Sequence, residues 1–288
     1  MRKILTAAAL AALVAGPALA ADLPVKVPYK VPVYSWNGCY IGGNVGWARE
    51  RVHDYWLPDS AFAPGAIVAL NAASDATLSK SGVVGGGQIG CNFQQAGSWV
   101  VWGVEGDFDW TSLNVDRLLV ATNVGGPPPL NFTDDQQMKL SFVSTARVRV
   151  GTTFYSNWLV YATGGFAFAN ITYSDCSVHF PNPPPAFCDT SGAAGGGFNF
   201  AHFNQTKFGY AVGGGIEIPW QEWSIKAEYL YVGIPRVNTL SQCFVTPGVA
   251  CGGATDIEHV HSNFNVQMAR IGLNYHFNCC SPVVRAAY

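Results

Sequence analysis

The chain has 288 residues, of which 49% are hydrophobic, 13% aromatic and only 12% charged, with a formal charge of −2. A near-neutral chain of this kind lacks the basic stripe of a nucleic-acid binder, and its few charges and many aromatics exclude a disordered chain. An average soluble domain carries about 25% charged residues, so an ordinary soluble enzyme is a poor fit as well.

The N-terminus reads as an export signal. Arg2 and Lys3 precede an apolar run from Ile4 to Ala15, and Ala18-Leu19-Ala20 supplies a small-residue cleavage site. This predicts a secretory signal peptide over 1–20, cleaved after Ala20. The run is too short to span a bilayer and is broken by Gly16-Pro17. Residues 21–35 follow as an extended, proline-rich leader, with Pro24, Pro28 and Pro32 separated by Lys26 and Lys30. Beyond residue 21 no apolar run reaches eighteen residues, so any membrane crossing would have to use strands.

From residue 36 the pattern turns to period two, the side-chain period of a strand. Segments at about 39–47, 82–93, 100–110, 139–150, 158–168, 207–218, 223–231 and 268–277 each match the 9–11 residues or so of a tilted membrane strand. Short connections at 94–99, 151–157 and 219–222 alternate with long ones at 48–81, 111–138, 169–206 and 232–267. Short turns on one side and long loops on the other describe an up-and-down barrel in a bacterial outer membrane. Trp36, Trp99, Trp158 and Trp223 open the odd segments at spacings of 63, 59 and 65 residues. They are expected at the periplasmic rim, with Trp47 and Trp110 at the opposite girdle.

Charge decides between this barrel and a soluble sandwich. With Ile41, Val45, Val104, Phe108, Val148, Ile225 and Ile271 facing out, the outward set also holds Leu140, Phe142, Val160, Phe166, Tyr210, Val212, Tyr229, Leu273 and Tyr275, without a charge. The inward set holds Glu105, Asp107, Asp109, Lys139, Arg147, Arg149, Lys207, Glu217, Lys226, Glu228 and Arg270. A sandwich would place its charges outward; this inversion fits lipid. The reading is therefore all-β: an eight-stranded antiparallel transmembrane barrel over 36–277 with four long extracellular loops, followed by a C-terminal tail, 278–288. An eight-stranded lumen is filled by side chains, so the inward charges are read as an ion-pair network, with a pore lining or proton relay as the alternative.

Other motifs point to little chemistry. Gly85-Gly86-Gly87-Gln88-Ile89-Gly90 has the letters of a dinucleotide fingerprint, but a strand follows it instead of a helix. His53, His179, His202, His259 and His261 lie on the long connections without a nucleophile motif, so no enzyme is expected. His259 and His261 offer two imidazoles, short of the three or four zinc usually takes; surface haem capture is the sharper reading of that pair. No cofactor or metal site follows. Among eight cysteines in an exported chain, Cys176 and Cys188 share one long loop and Cys243 and Cys251 another, and both bridges are expected. A third, Cys39–Cys91, depends on strand register; Cys279 and Cys280 have no assigned partner.

Four stretches carry a family likeness: Tyr40 to Gly46 (YIGGNVG), Gly103 to Trp110 (GVEGDFDW), Trp158 to Gly165 (WLVYATGG) and Lys226 to Tyr231 (KAEYLY). They resemble the small outer-membrane immunogenic proteins of alphaproteobacteria, often labelled porin-family or OmpA-like β-barrel proteins. The resemblance implies an eight-stranded barrel, assembly by the outer-membrane insertion machinery with periplasmic chaperones, and antigenic surface loops. The closing stretch Arg270 to Phe277, with Gly272, Tyr275 and Phe277, resembles the assembly signal of such barrels. The expected function is a structural or surface-interaction role with a filled lumen. A narrow porin-like channel for small solutes is the alternative, and haem or host-ligand binding through the loops a further one.

Overall fold

The structure is a computed structural model, and it describes residues 34–57, 64–124, 130–155, 157–180, 198–246, 249–250 and 258–277. Strands β1 (Gly38–Leu57), β2 (Ala76–Gln94), β3 (Val100–Val124), β4 (Leu130–Phe154), β5 (Trp158–Phe180), β6 (Phe198–Trp220), β7 (Trp223–Thr246) and β9 (Glu258–His276) form an antiparallel sheet of sequential neighbours. Pairing of β1 with β9, Val45 opposite Ile271, closes it into an eight-stranded barrel. A two-residue strand, β8 (Val249–Ala250), pairs only with β7. The one helix among the described residues, α1 (Pro64–Ser74), lies between β1 and β2, and no described helix is long and apolar enough to cross a membrane.

The outer face is apolar over a limited height. On β3, Val100, Trp102, Val104, Phe108 and Trp110 are exposed, and then Ser112, Asn114 and Asp116 take over the same face. On β1 the change falls between Trp47 and Arg49. Eleven residues of a strand tilted by roughly 40° rise about 28 Å, close to the apolar band of such barrels.

Beyond the belt the strands continue, and this corrects the bounds of the long connections: of the expected 48–81 loop, for example, 48–57 and 76–81 are strand. The alternation persists with its polarity exchanged. Ala48, Val52 and Trp56 of β1, Met138 and Leu140 of β4, and Phe264, Val266 and Met268 of β9 are buried in the lumen. Arg49, Arg51, Gln137, Lys139, Asn265 and Gln267 lie on the outer face. The lower barrel is therefore built for lipid outside, and the upper barrel for water outside with an ordinary hydrophobic core within. A template of apolar-out residues stops matching at the switch, although the strands do not stop.

One bulge corrects the phase of β4. Opposite β5 the register jumps between Leu140 and Phe142, leaving Ser141 as an extra residue. An inserted residue turns every later side chain to the other face. Leu140 is consequently buried in the lumen and Lys139 faces out, the reverse of the alternation extrapolated through this point.

Close packing explains the glycine run. A Cβ on Gly86 would collide with the Phe108 carbonyl oxygen, and one on Gly165 with that of Ala146. Gly86 sits in an unbroken ladder between β1 and β2, so the 85–90 stretch is wall, with no helix behind it. Cys39 and Cys91 face each other across β1 and β2 and are disulfide-bonded, 3.9 Å apart at Cα. Cys176 is also disulfide-bonded. Cys188, Cys251, Cys279 and Cys280, the 1–20 signal segment, most of the leader and the 278–288 tail lie outside the described residues.

Candidate functional site: a filled lumen

Three strata fill the lumen. At the periplasmic mouth, Trp36 is fully buried against Val101, Leu159 and Tyr161. Its indole N–H donates to the Asn157 carbonyl at 3.0 Å. Trp36 thus plugs the barrel from within, a correction to its placement on the lipid rim, whereas Trp99 and Trp223 are exposed there. It precedes β1 by two residues, outside the strand alternation, and the Asn157 carbonyl and the Val101–Leu159–Tyr161 cluster hold it inward.

The middle stratum is ionic. Arg147 on β4 reaches Glu105 at 2.5 Å and Asp107 at 2.7 Å on β3, and Glu228 at 3.1 Å on β7. Arg149 pairs with Glu217 on β6 at 2.8 Å, donates to Asn92 at 2.9 Å, and lies between the rings of Tyr40 and Tyr161. The Lys226 ammonium lies 3.0 Å from both Glu105 oxygens. Arg270 binds Asp107 at 3.0 Å and also engages Asp109 and Glu228. Every side chain in these pairs is at most 1% exposed. The structure thus brings together Glu105, Asp107, Asp109, Arg147, Arg149, Glu217, Lys226, Glu228 and Arg270.

Neutral side chains complete the layer. Tyr40 donates to Glu105 and Tyr161 to Glu228. Glu217 accepts from Ser224 at 2.5 Å and from Asn274 at 2.7 Å, and lies 3.3 Å from His276. Five carboxyl side chains therefore share the layer with three arginines, one lysine and one histidine. Buried charge is tolerable only when compensated and hydrogen-bonded, and the His276 ring also meets the Ser224 hydroxyl at 2.8 Å. Tyr40, Asn274 and His276 were absent from the sequence-derived set because only formally charged residues were traced. The phase that turns Arg270 inward also turns Gly272, Asn274 and His276 inward. Tyr275 and Phe277 face out, with ring centroids 5.2 Å apart. Lys207, on the inward face of β6, is half-buried.

The upper stratum is the hydrophobic core of the extension, capped by α1. Leu70 of α1 is fully buried in it. Asn71 donates to the Trp56 carbonyl at 2.5 Å, and the Ser74 hydroxyl accepts from the Trp56 amide at 2.9 Å. Arg117 of β3 donates to the carbonyls of Ser74 and Ala73, closing the negative end of the helix. Carboxyls are embedded here too. Burial pushes Glu50 up to about 7. Asp175 is also raised to about 7, mainly by burial. Burial raises Asp54 as well, offset in part by the Ser262 hydroxyl at 2.7 Å. Among the described residues no group of His, Cys, Asp and Glu could hold a metal ion. His259 and His261 belong to the outer end of β9, opposite Leu57 and Tyr55 of β1.

An antiparallel barrel with an apolar belt, an ionic interior and a water-facing extension defines an integral outer-membrane protein. The chain matches the outer membrane protein beta-barrel domain over residues 6–277, and belongs to that family. It is 28% identical over 276 residues to the 31 kDa outer-membrane immunogenic proteins of Brucella melitensis and Brucella suis, covering 94% of this chain and 98% of each relative. Among solved structures it is similar to neisserial surface protein A (TM-score 0.33, 12% identity, covering 84% of this chain and 98% of that one). It is likewise similar to the attachment invasion locus protein Ail of Yersinia pestis (TM-score 0.28, 12% identity, 81% and 99%). The protein is thus a bacterial outer-membrane β-barrel, seated in membrane lipid.

Proposed function

We propose that this protein is a non-conducting, non-catalytic barrel whose membrane half anchors a rigid surface projection. The observation that supports the reading is the continuous filling of the lumen, from Trp36 through the Arg147–Glu105 layer to the Leu70-capped core. Among the described residues a side chain stands at each of these levels, which supports a lumen without a continuous path for water or solute. The projection presents largely polar strand faces to the exterior, with Leu118 and Val120 exposed among them on β3. In this reading Arg270, Gly272, Tyr275 and Phe277 also serve the insertion machinery, with periplasmic chaperones delivering the exported, signal-cleaved chain.

Planar-bilayer recording of refolded, purified protein tests the proposal. A sealed lumen gives no stable conductance steps at 100 mV. Reproducible steps in the wild type, lost when the protein is omitted, would make it a narrow channel instead.

A further inference from the structure

On the lipid side of the wall, β5, β6, β7, β9 and β1 enclose a shallow apolar groove of about 860 Å³. Gly214, Ala227 and Ala269 form its floor, and Trp47, Tyr229 and Ile271 stand along it. Its surroundings are hydrocarbon, because the same faces carry the exposed apolar belt. The groove reaches the upper edge of that belt at Trp47, where the outer face of β1 continues with Arg49 and Arg51, both exposed.

Register places these arginines within one patch. Arg49 is opposite Gln267 and Arg51 opposite Asn265 on β9, while Trp47 is opposite Ala269 in the groove. Tyr229 donates to the Gln267 side-chain oxygen at 3.0 Å and Tyr231 to that of Asn265 at 2.8 Å. Both amides therefore keep their NH₂ groups for another acceptor. The strand positions paired with the arginines carry Ser81 and Ser79 on β2, Ser79 accepting from Arg49 at 3.3 Å, and the exposed carboxylate of Asp75 further out is paired with His53 at 3.2 Å. On a strand tilted by roughly 40° each step of two residues rises about 5 Å, and the polar headgroup layer is roughly 5–8 Å deep on each side of the bilayer. Arg49 thus stands within the headgroup layer and Arg51 at its outer edge, above a slot shaped for hydrocarbon.

We infer that this face binds a phosphorylated, multiply acylated glycolipid of the outer leaflet. Acyl chain lies in the Ala227–Ala269 groove, phosphate meets Arg49 and Arg51, and the Asn265 and Gln267 amides face sugar hydroxyls. Guanidinium suits phosphate because its planar fork pairs two oxygens at once. The inference rests on the barrel's seat in the membrane and is independent of whether the lumen conducts.

Native mass spectrometry of the detergent-solubilised full chain tests it, with diphosphoryl lipid A, its dephosphorylated form and phosphatidylglycerol as probes. One diphosphoryl lipid A should be retained in preference to both others. Arg49→Gln with Arg51→Gln should weaken retention by about tenfold or more, as loss of charge-assisted contacts implies. Ala227→Leu or Ala269→Leu, which fill the groove, should also weaken it, whereas Lys139→Gln on β4 should not. Heat-modifiable gel mobility identifies folded variants, and the groove and arginine substitutions provide separate tests. Equal retention of phosphatidylglycerol, or retention untouched by both kinds of substitution, would overturn the inference.

Discussion

Replacing Arg147 with leucine removes the cation that three strands share. Its guanidinium reaches Glu105, Asp107 and Glu228, and the side chain has no exposure. The three carboxylates keep other partners: Lys226 and Arg149 for Glu105, Arg270 for Asp107, and Arg270 with Lys226 for Glu228. The layer nevertheless loses one of its three guanidiniums, in a site where the paired side chains are at most 1% exposed. Removing one member of a buried ion pair costs about 3–5 kcal/mol, whereas replacing both members by apolar side chains is often close to neutral. Arg147→Leu should therefore lower the stability of the refolded barrel by about 3–5 kcal/mol, read from urea titrations followed by gel mobility and tryptophan fluorescence. Adding Asp107→Leu should restore at least half of the loss. A loss under about 1 kcal/mol, or a double variant as unstable as the sum of the singles, would refute the view that charge balance holds this layer.

Three further outcomes follow from other parts of the molecule. Glu50 holds its proton more tightly in the folded state, so its contribution is favourable at low pH and becomes a penalty as pH rises from about 4.5 through 7. Proteolytic resistance of the extension should increase from pH 8 to pH 5, by up to about 3 kcal/mol for this group, and Glu50→Gln should remove that share; an unchanged pH profile in the variant would count against it. Gly86→Ala, which drives a methyl into the Phe108 carbonyl, should cost about 1–3 kcal/mol, seen as a lower urea midpoint; a midpoint equal to wild type would show that the wall can yield. Replacing Cys39 and Cys91 by serine opens a cross-link spanning 52 residues. The loop-entropy relation assigns it about 4 kcal/mol, so oxidised wild type should unfold at higher urea than the double variant, and the two should coincide in reductant.

The membrane half was legible because lipid makes a simple demand: each strand must be apolar outside, leaving the inside free to be polar. Phase alone aims Glu105, Arg147 and Lys226 into one space. It does not carry past the girdle, where water replaces lipid and Val52 and Phe264 must turn inward to be buried. Nor does it survive the Ser141 bulge, which backbone pairing reveals and residue type does not. Trp36 escaped because a tryptophan at a strand entrance suits a lipid interface and a plug equally well, and only the Asn157 carbonyl distinguishes them. His276 was within reach of the same parity argument applied to Arg270, had uncharged positions been followed.

The exchange of polarity at Trp47 has an immunological consequence. From Trp110 to Val124, β3 climbs about 35 Å at a strand's rise and tilt. What an antibody meets on the described flanks of the projection is every second residue of several neighbouring strands. Thr77, His53 and Asn263 make one such contiguous patch while belonging to three distant stretches of chain. Linear peptides cut from this region would also display the inward half, Val52 or Val266, which the folded protein hides. Recognition of that wall should depend on the intact barrel, and sera raised against it should lose reactivity once the protein is boiled.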